Sequence, residues 1–197
     1  MAIVESTRTQ AVAFSALLRR YTLEELWALP EPQDRAHYEL IGGVLYVVPP
    51  PGWSHNLAAA RLLRLLSRYQ DAHPDRCTLF VPRAAVWTPR DTYLEPDLFL
   101  VSAETLATTD ADQLTTADLV VEIHAPAPAM YDRTTKADTY AALGVRELWL
   151  VDLDRRTIEQ RVLASERWTI AGTYAGGDAV ESAVFPGLRV LPAEIFG

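Results

Sequence analysis

Three segments of this chain carry side chains that could act on a phosphodiester. Glu95-Pro96-Asp97-Leu98 and Val120-Val121-Glu122-Ile123-His124 each set a carboxylate in an apolar run, and Asp132 and Lys136 follow one helical turn apart. Two carboxylates at the ends of neighbouring strands, followed by a lysine, are the parts needed to hold a divalent cation and activate water. Glu122 follows Leu119-Val120-Val121, where a carboxylate is costly unless it is paired or bound to a cation. Strand alternation puts Glu122 and His124 on one face and Ile123 on the other. Asp132, Lys136 and Tyr140 recur at i, i+4 and i+8, so they share one helix face. Plainer roles stand beside these. Asp97 could end a strand after Pro96, Asp132 and Lys136 could form an exposed ion pair, and His124 could be a buried, hydrogen-bonded histidine. His55 could be a helix-start residue satisfied by backbone.

The elements that must position these groups alternate between strand and helix. Tyr21 to Leu29 reads as a short helix capped by Thr22 and ended by Pro30 and Pro32. Tyr38 to Val48 reads as a hairpin around Gly42-Gly43. After Pro49-Pro50-Pro51-Gly52, Ser54 is expected to cap a helix from His55 to Asp71 with a stripe of Leu57, Leu62, Leu65, Leu66 and Tyr69. Cys77 to Trp87 and Glu95 to Val101 read as strands joined by a polar turn. Ala117 to His124 is apolar enough for a strand buried on both faces. Tyr131 to Leu143 reads as a helix ended by Gly144, and Val145 to Val151 as a second buried strand, which implies a parallel pair. Thr157 to Leu163 and Trp168 to Tyr174 look like a meander. The expected fold class is α/β, a single mixed sheet flanked by the 55–71 and 131–143 helices, in one domain over 1–197.

Composition narrows the setting. The 197 residues are 49% hydrophobic and 22% charged, an ordinary globular balance. No apolar stretch reaches the ~18 residues that span a membrane. Met1 to Gln10 has no apolar h-region, so a cytoplasmic protein is expected. One cysteine, Cys77, excludes an internal disulfide and a multi-cysteine zinc site. Trp27, Trp53, Trp87, Trp149 and Trp168 read as core or edge residues. The hydrophobic C-terminal stretch with Trp168, Tyr174 and Phe185 suggests an apolar edge covered in a homodimer.

The order and spacing of the motifs resemble the Uma2 family of endonucleases (DUF820) in the PD-(D/E)XK restriction-endonuclease-like superfamily. The resemblance rests on Tyr38-Glu39-Leu40-Ile41-Gly42-Gly43, Pro49 to His55, Glu95 to Leu98, Val120 to His124 and Tyr140 to Asp152, and is strongest over 20–165. It implies a restriction-endonuclease-like fold and hydrolysis of DNA. Asp97 and Glu122 would hold Mg²⁺ or Mn²⁺, helped by a backbone carbonyl near Ile123. Lys136 would take the catalytic-lysine role from the following helix, since His124 fills the superfamily's usual lysine slot. Glu39 and His55 match further family positions and would support the site or face substrate. The hydroxyl-rich segment common after the glutamate is here Ala125-Pro126-Ala127-Pro128. That loss, a net charge of −8 and a pI near 5.0 favour the alternative, a catalytically silent nuclease fold that binds DNA or protein. Arg61, Arg64 and Arg68 on one helix read first as a solvated face, so weak non-specific DNA affinity is expected.

Overall fold

The structure, a computed structural model, describes residues 19–32, 35–110, 113–124 and 132–197, the side chains of residues 132 and 133 excepted. Three sheets form among the described residues, where a single one was expected, and the two larger ones position the site. The larger has six strands in the order β10-β9-β8-β7-β6-β3. These are β3 (Cys77–Phe80), β6 (Leu98–Ser102), β7 (Leu119–His124), β8 (Glu147–Asp152), β9 (Thr157–Ala164) and β10 (Arg167–Ala175). Only β7 and β8 run parallel, joined through the helical segment that carries Lys136. The smaller sheet runs β2-β1-β5-β4, with β1 (His37–Ile41), β2 (Val44–Val48), β4 (Val86–Thr88) and β5 (Thr92–Leu94). The C-terminal meander extends the main sheet beyond β8.

Local chemistry explains the division. Gly42 and Gly43 both take positive φ between Ile41 and Val44, the two-residue turn whose twist suits a hairpin. The expected strand from Cys77 to Trp87 breaks because Pro82 lacks an N–H and Arg83 takes φ +78. Its halves therefore fall in different sheets. Pro96 likewise delays β6 until Leu98 and leaves Asp97 at its mouth.

The first helix, α1 (Leu23–Trp27), opens on the expected Thr22 cap, reinforced by Glu25 in a capping box. Helix α2 (Trp53–Ala72) begins earlier than expected. Extended Gly52 precedes it with no side-chain cap, and Ser54 lies inside the first turn. Its buried stripe is Ala58, Leu62, Leu66 and Tyr69, whereas Leu57 is exposed. That stripe packs on Leu98, Leu119, Val121 and Ile123, together with Phe185, Val190 and Ile195. After α3 (Ala103–Thr108) and β7, the expected 131–143 helix divides. A π-helical turn, Asp132–Lys136, precedes α4 (Ala137–Ala142), with Gly144 at φ +79 just beyond. Ala137 and Tyr140 pack with Phe99, Val120, Leu148 and Leu150 on the opposite sheet face, which Val86 and Leu94 of the small sheet also cover.

The C-terminal segment (β11, Val180–Glu181; β12, Arg189–Val190; α5, Pro192–Phe196) is pinned from within. Buried Glu147 accepts from Trp149 Nε1 and Gln160 Nε2, both at 2.7 Å, and from Ser182 Oγ at 2.6 Å. Arg61 donates to the Ile195 carbonyl at 2.6 Å, so it is not part of a purely solvated face. Arg64 and Arg68 are exposed. The residues expected to need a partner are engaged inside the chain. Phe185 is buried, Trp168 donates to the Ala137 carbonyl and Tyr174 to Gln160. No helix among the described residues is long and apolar enough to cross a membrane.

Candidate functional site

Strand pairing brings the two carboxylates together. Leu98 lies opposite Val121 and Phe99 opposite Val120. Continuing that register by one residue sets Asp97 across from Glu122, the arrangement that brings facing Cβ atoms to about 4.5–5.5 Å. Pro96 releases Asp97 from the ladder, and its carboxylate instead accepts the Ile123 amide at 2.8 Å. His55, in the first turn of α2, reaches the same carboxylate with Nε2 at 3.1 Å from Oδ1 and 3.2 Å from Oδ2. It is therefore more than a helix-start residue.

Glu122 meets the helical segment. Lys136 Nζ lies 2.8 Å from Glu122 Oε1, and the Tyr140 hydroxyl donates to the same oxygen at 2.5 Å. The i, i+4 spacing of Lys136 and Tyr140 thus converges on one acceptor. Burial, and then the Glu122 carboxylate, push the Tyr140 phenol well above its ordinary value, so the hydroxyl stays protonated and can donate. Lys136 is only 4% exposed, which excludes the surface ion pair considered for it. The side chain of Asp132 lies outside the described residues, as does the Ala125–Pro128 segment.

The small sheet supplies a third carboxylate. Glu39 on β1 is fully buried and accepts from Lys136 Nζ at 3.1 Å and from the Glu95 amide at 3.0 Å. Glu39 and Glu122 therefore share the Lys136 ammonium, while Asp97 is held by His55. Among the described residues no group of three or more His, Cys, Asp or Glu side chains is arranged as a metal cage. Hard oxygens from one or two carboxylates, with water and substrate completing the shell, are however what Mg²⁺ prefers over an all-protein cage. The donor chemistry of Asp97 and Glu122 fits such an ion.

His124 is buried two residues along β7 from Glu122 and shares its face by strand alternation. Cys77 is buried, and burial pushes its thiol up, which suits a structural residue. Sequence reasoning missed His37, whose Nε2 lies 4.0 Å from Glu39 Oε1, and Glu95, whose carboxylate accepts from Tyr93 and faces Arg83. The i, i+2 spacing of His37 and Glu39 on one strand was the available signal for the first. Trp27 and Trp53, expected in the core or at its edge, are exposed at 61% and 83%.

No curated protein matches the chain. Among solved structures it is similar to a protein titled a "putative nuclease belonging to DUF820" from Anabaena variabilis. The identity is 17%, the TM-score 0.70, and the match covers 89% of this chain and 97% of that one, which establishes a shared fold. The Uma2 family, described as "Putative restriction endonuclease", matches over residues 23–194. With that match spanning nearly the whole described fold, the chain belongs to the Uma2 family.

Proposed function

We propose that this protein is a cytoplasmic, metal-dependent endonuclease that hydrolyses DNA phosphodiester bonds with water as nucleophile. The observation that carries the reading is the convergence of Lys136 on Glu122, with Asp97 at the mouth of the neighbouring strand. Mg²⁺ or Mn²⁺ held by Asp97 and Glu122 would supply Lewis acidity and make water nucleophilic at neutral pH. Lys136 orients water and offsets negative charge developing on phosphate, a role that a permanent cation suits better than His124. Glu39 and Tyr140 hold Lys136 and Glu122 in place, and His55 positions Asp97.

The test combines cleavage and binding. Plasmid, linear, single-stranded and branched DNA are incubated with Mg²⁺ or Mn²⁺, and Mn²⁺ binding is measured by calorimetry. Cleavage with either metal, and metal binding lost in Asp97→Ala, is the expected result. The acidic net charge of −8 supports a second reading, a silent nuclease fold that binds DNA or protein. A folded protein with no Mn²⁺ affinity at millimolar concentration would establish that reading instead.

The homodimer expected from the apolar C-terminal meander belongs to this proposal. Among the described residues β10 is the outermost strand of the main sheet, and it carries Ile170, 60% exposed. Light scattering at micromolar concentration should return twice the chain mass, and a mass of 21.9 kDa would remove the dimer.

A further inference from the structure

A pocket of about 220 Å³ opens between α1, β1 and the β5–β6 connection. Its walls include Trp27, Tyr38 and Tyr93, its apolar lining includes Leu26, Leu29 and Pro30, and its polar groups are His37, Arg83, Glu31 and Glu95. It adjoins the carboxylate cluster. The amide of Glu95 donates to Glu39, the acceptor of Lys136, and Glu95 precedes Asp97 by two residues, at most about 7 Å along the chain. The volume lies below the ~300–1,000 Å³ common for drug-sized ligands, so one ring system fits where a whole nucleotide would not.

The lining selects what kind of ring. Two carboxylates against one guanidinium and one imidazole disfavour phosphate and favour an uncharged group. Glu95 is almost buried and can accept from an exocyclic amine, as carboxylates do from cytosine. His37 Nε2 is buried and lies 4.0 Å from Glu39 Oε1, so it faces the carboxylate cluster behind the pocket wall. Trp27 is braced edge-on by Trp87, with centroids 5.7 Å apart and planes at 76°. Despite that bracing it is 61% exposed, and an exposed indole held in place is a stacking platform.

We propose that this pocket binds one unstacked nucleobase of the substrate strand beside the scissile phosphate. The protein then selects DNA with an unpaired base, such as a single strand, a flap or a frayed end, over an intact duplex. Glu95 reads the edge of the base, and Trp27 and Tyr38 offer it aromatic surface. This rests on the nuclease reading above, because the base belongs to the strand whose phosphate meets Asp97 and Glu122.

The test uses the full chain in EDTA, so that binding is read without cleavage. Short labelled single strands and their duplexes are titrated by anisotropy, with 2-aminopurine placed singly in the strand. The single strand should bind about tenfold more tightly than the duplex, and the 2-aminopurine at the pocket position should be quenched. Trp27→Ala should weaken single-strand binding about tenfold and leave duplex binding unchanged, while Trp27→Phe keeps most of it. An abasic residue at the quenched position should cost the same factor in the native protein and nothing more in Trp27→Ala. Unchanged affinity and quenching in Trp27→Ala, with circular dichroism of the native fold, would overturn the pocket while metal-dependent cleavage preserved the nuclease reading. Binding of the free 2-aminopurine nucleoside as tightly as the strand would also overturn it, by making a free nucleoside the ligand. Failure of every oligonucleotide to bind overturns the pocket, and only if cleavage is also absent does it end the nuclease reading.

Discussion

Lys136→Met is expected to keep Mn²⁺ binding and lose at least a hundredfold in cleavage rate. The substitution retains the aliphatic stem, buried at the junction of the two sheets, and removes only the ammonium that lies 2.8 Å from Glu122 and 3.1 Å from Glu39. Removing one preorganised charge aimed at a reacting centre typically raises the barrier by ~3–4 kcal/mol, which is a few hundredfold in rate. Glu122→Gln should behave differently, losing metal binding and cleavage together, because it removes an anionic oxygen donor. His124→Ala should alter stability alone. If His124 were the working group, its loss would match that of Lys136. Full nuclease activity in Lys136→Met would end the assignment.

The largest effect on stability is expected at Glu39. Glu39→Leu leaves the Lys136 ammonium with one fewer buried carboxylate and strands the Glu95 amide without its acceptor. Breaking a buried ion pair from one side costs ~3–5 kcal/mol, a large part of the ~5–15 kcal/mol that holds a typical domain together. Removing the lysine as well should relieve much of this. The double variant Glu39→Leu/Lys136→Met should therefore be less destabilised than the sum of the single variants by about 1–3 kcal/mol. Urea unfolding of the four proteins measures the cycle. A single-variant loss below about 1 kcal/mol, or simple additivity, would show that the contact contributes little. Because Glu39 also anchors the amide of Glu95, its loss should disturb the neighbouring pocket and the lysine together.

Sequence periodicity carried the local structure wherever one interaction range controlled it. The buried runs of β7 and β8 are nearly continuous apolar segments because helices and the small sheet cover both faces. The Thr22 cap, the Gly42-Gly43 turn and the end of α4 near Gly144 depend on neighbours within a few residues, so they were legible too. The facing of Glu122 and His124 follows from strand alternation alone. Pro82 and Pro96 interrupt apolar runs that read as continuous strands over 77–87 and 95–101, and which sheet received each fragment was not legible either. That outcome depends on pairings between strands far apart in the chain, which no window of residues contains. The shift from Leu57 to Ala58 in the α2 stripe has the same origin, since the position of the sheet beneath the helix selects the buried face. The site shows the division most sharply. Asp97 and Glu122 could be picked out as carboxylates in strands, whereas the burial of Lys136 depends on Glu39, 97 positions away. Long-range packing likewise sets Trp27 against Trp87 and leaves its indole facing solvent above the pocket. Hydrophobic pattern names the elements, but the free energy of burying charged and aromatic groups is settled only when distant segments meet.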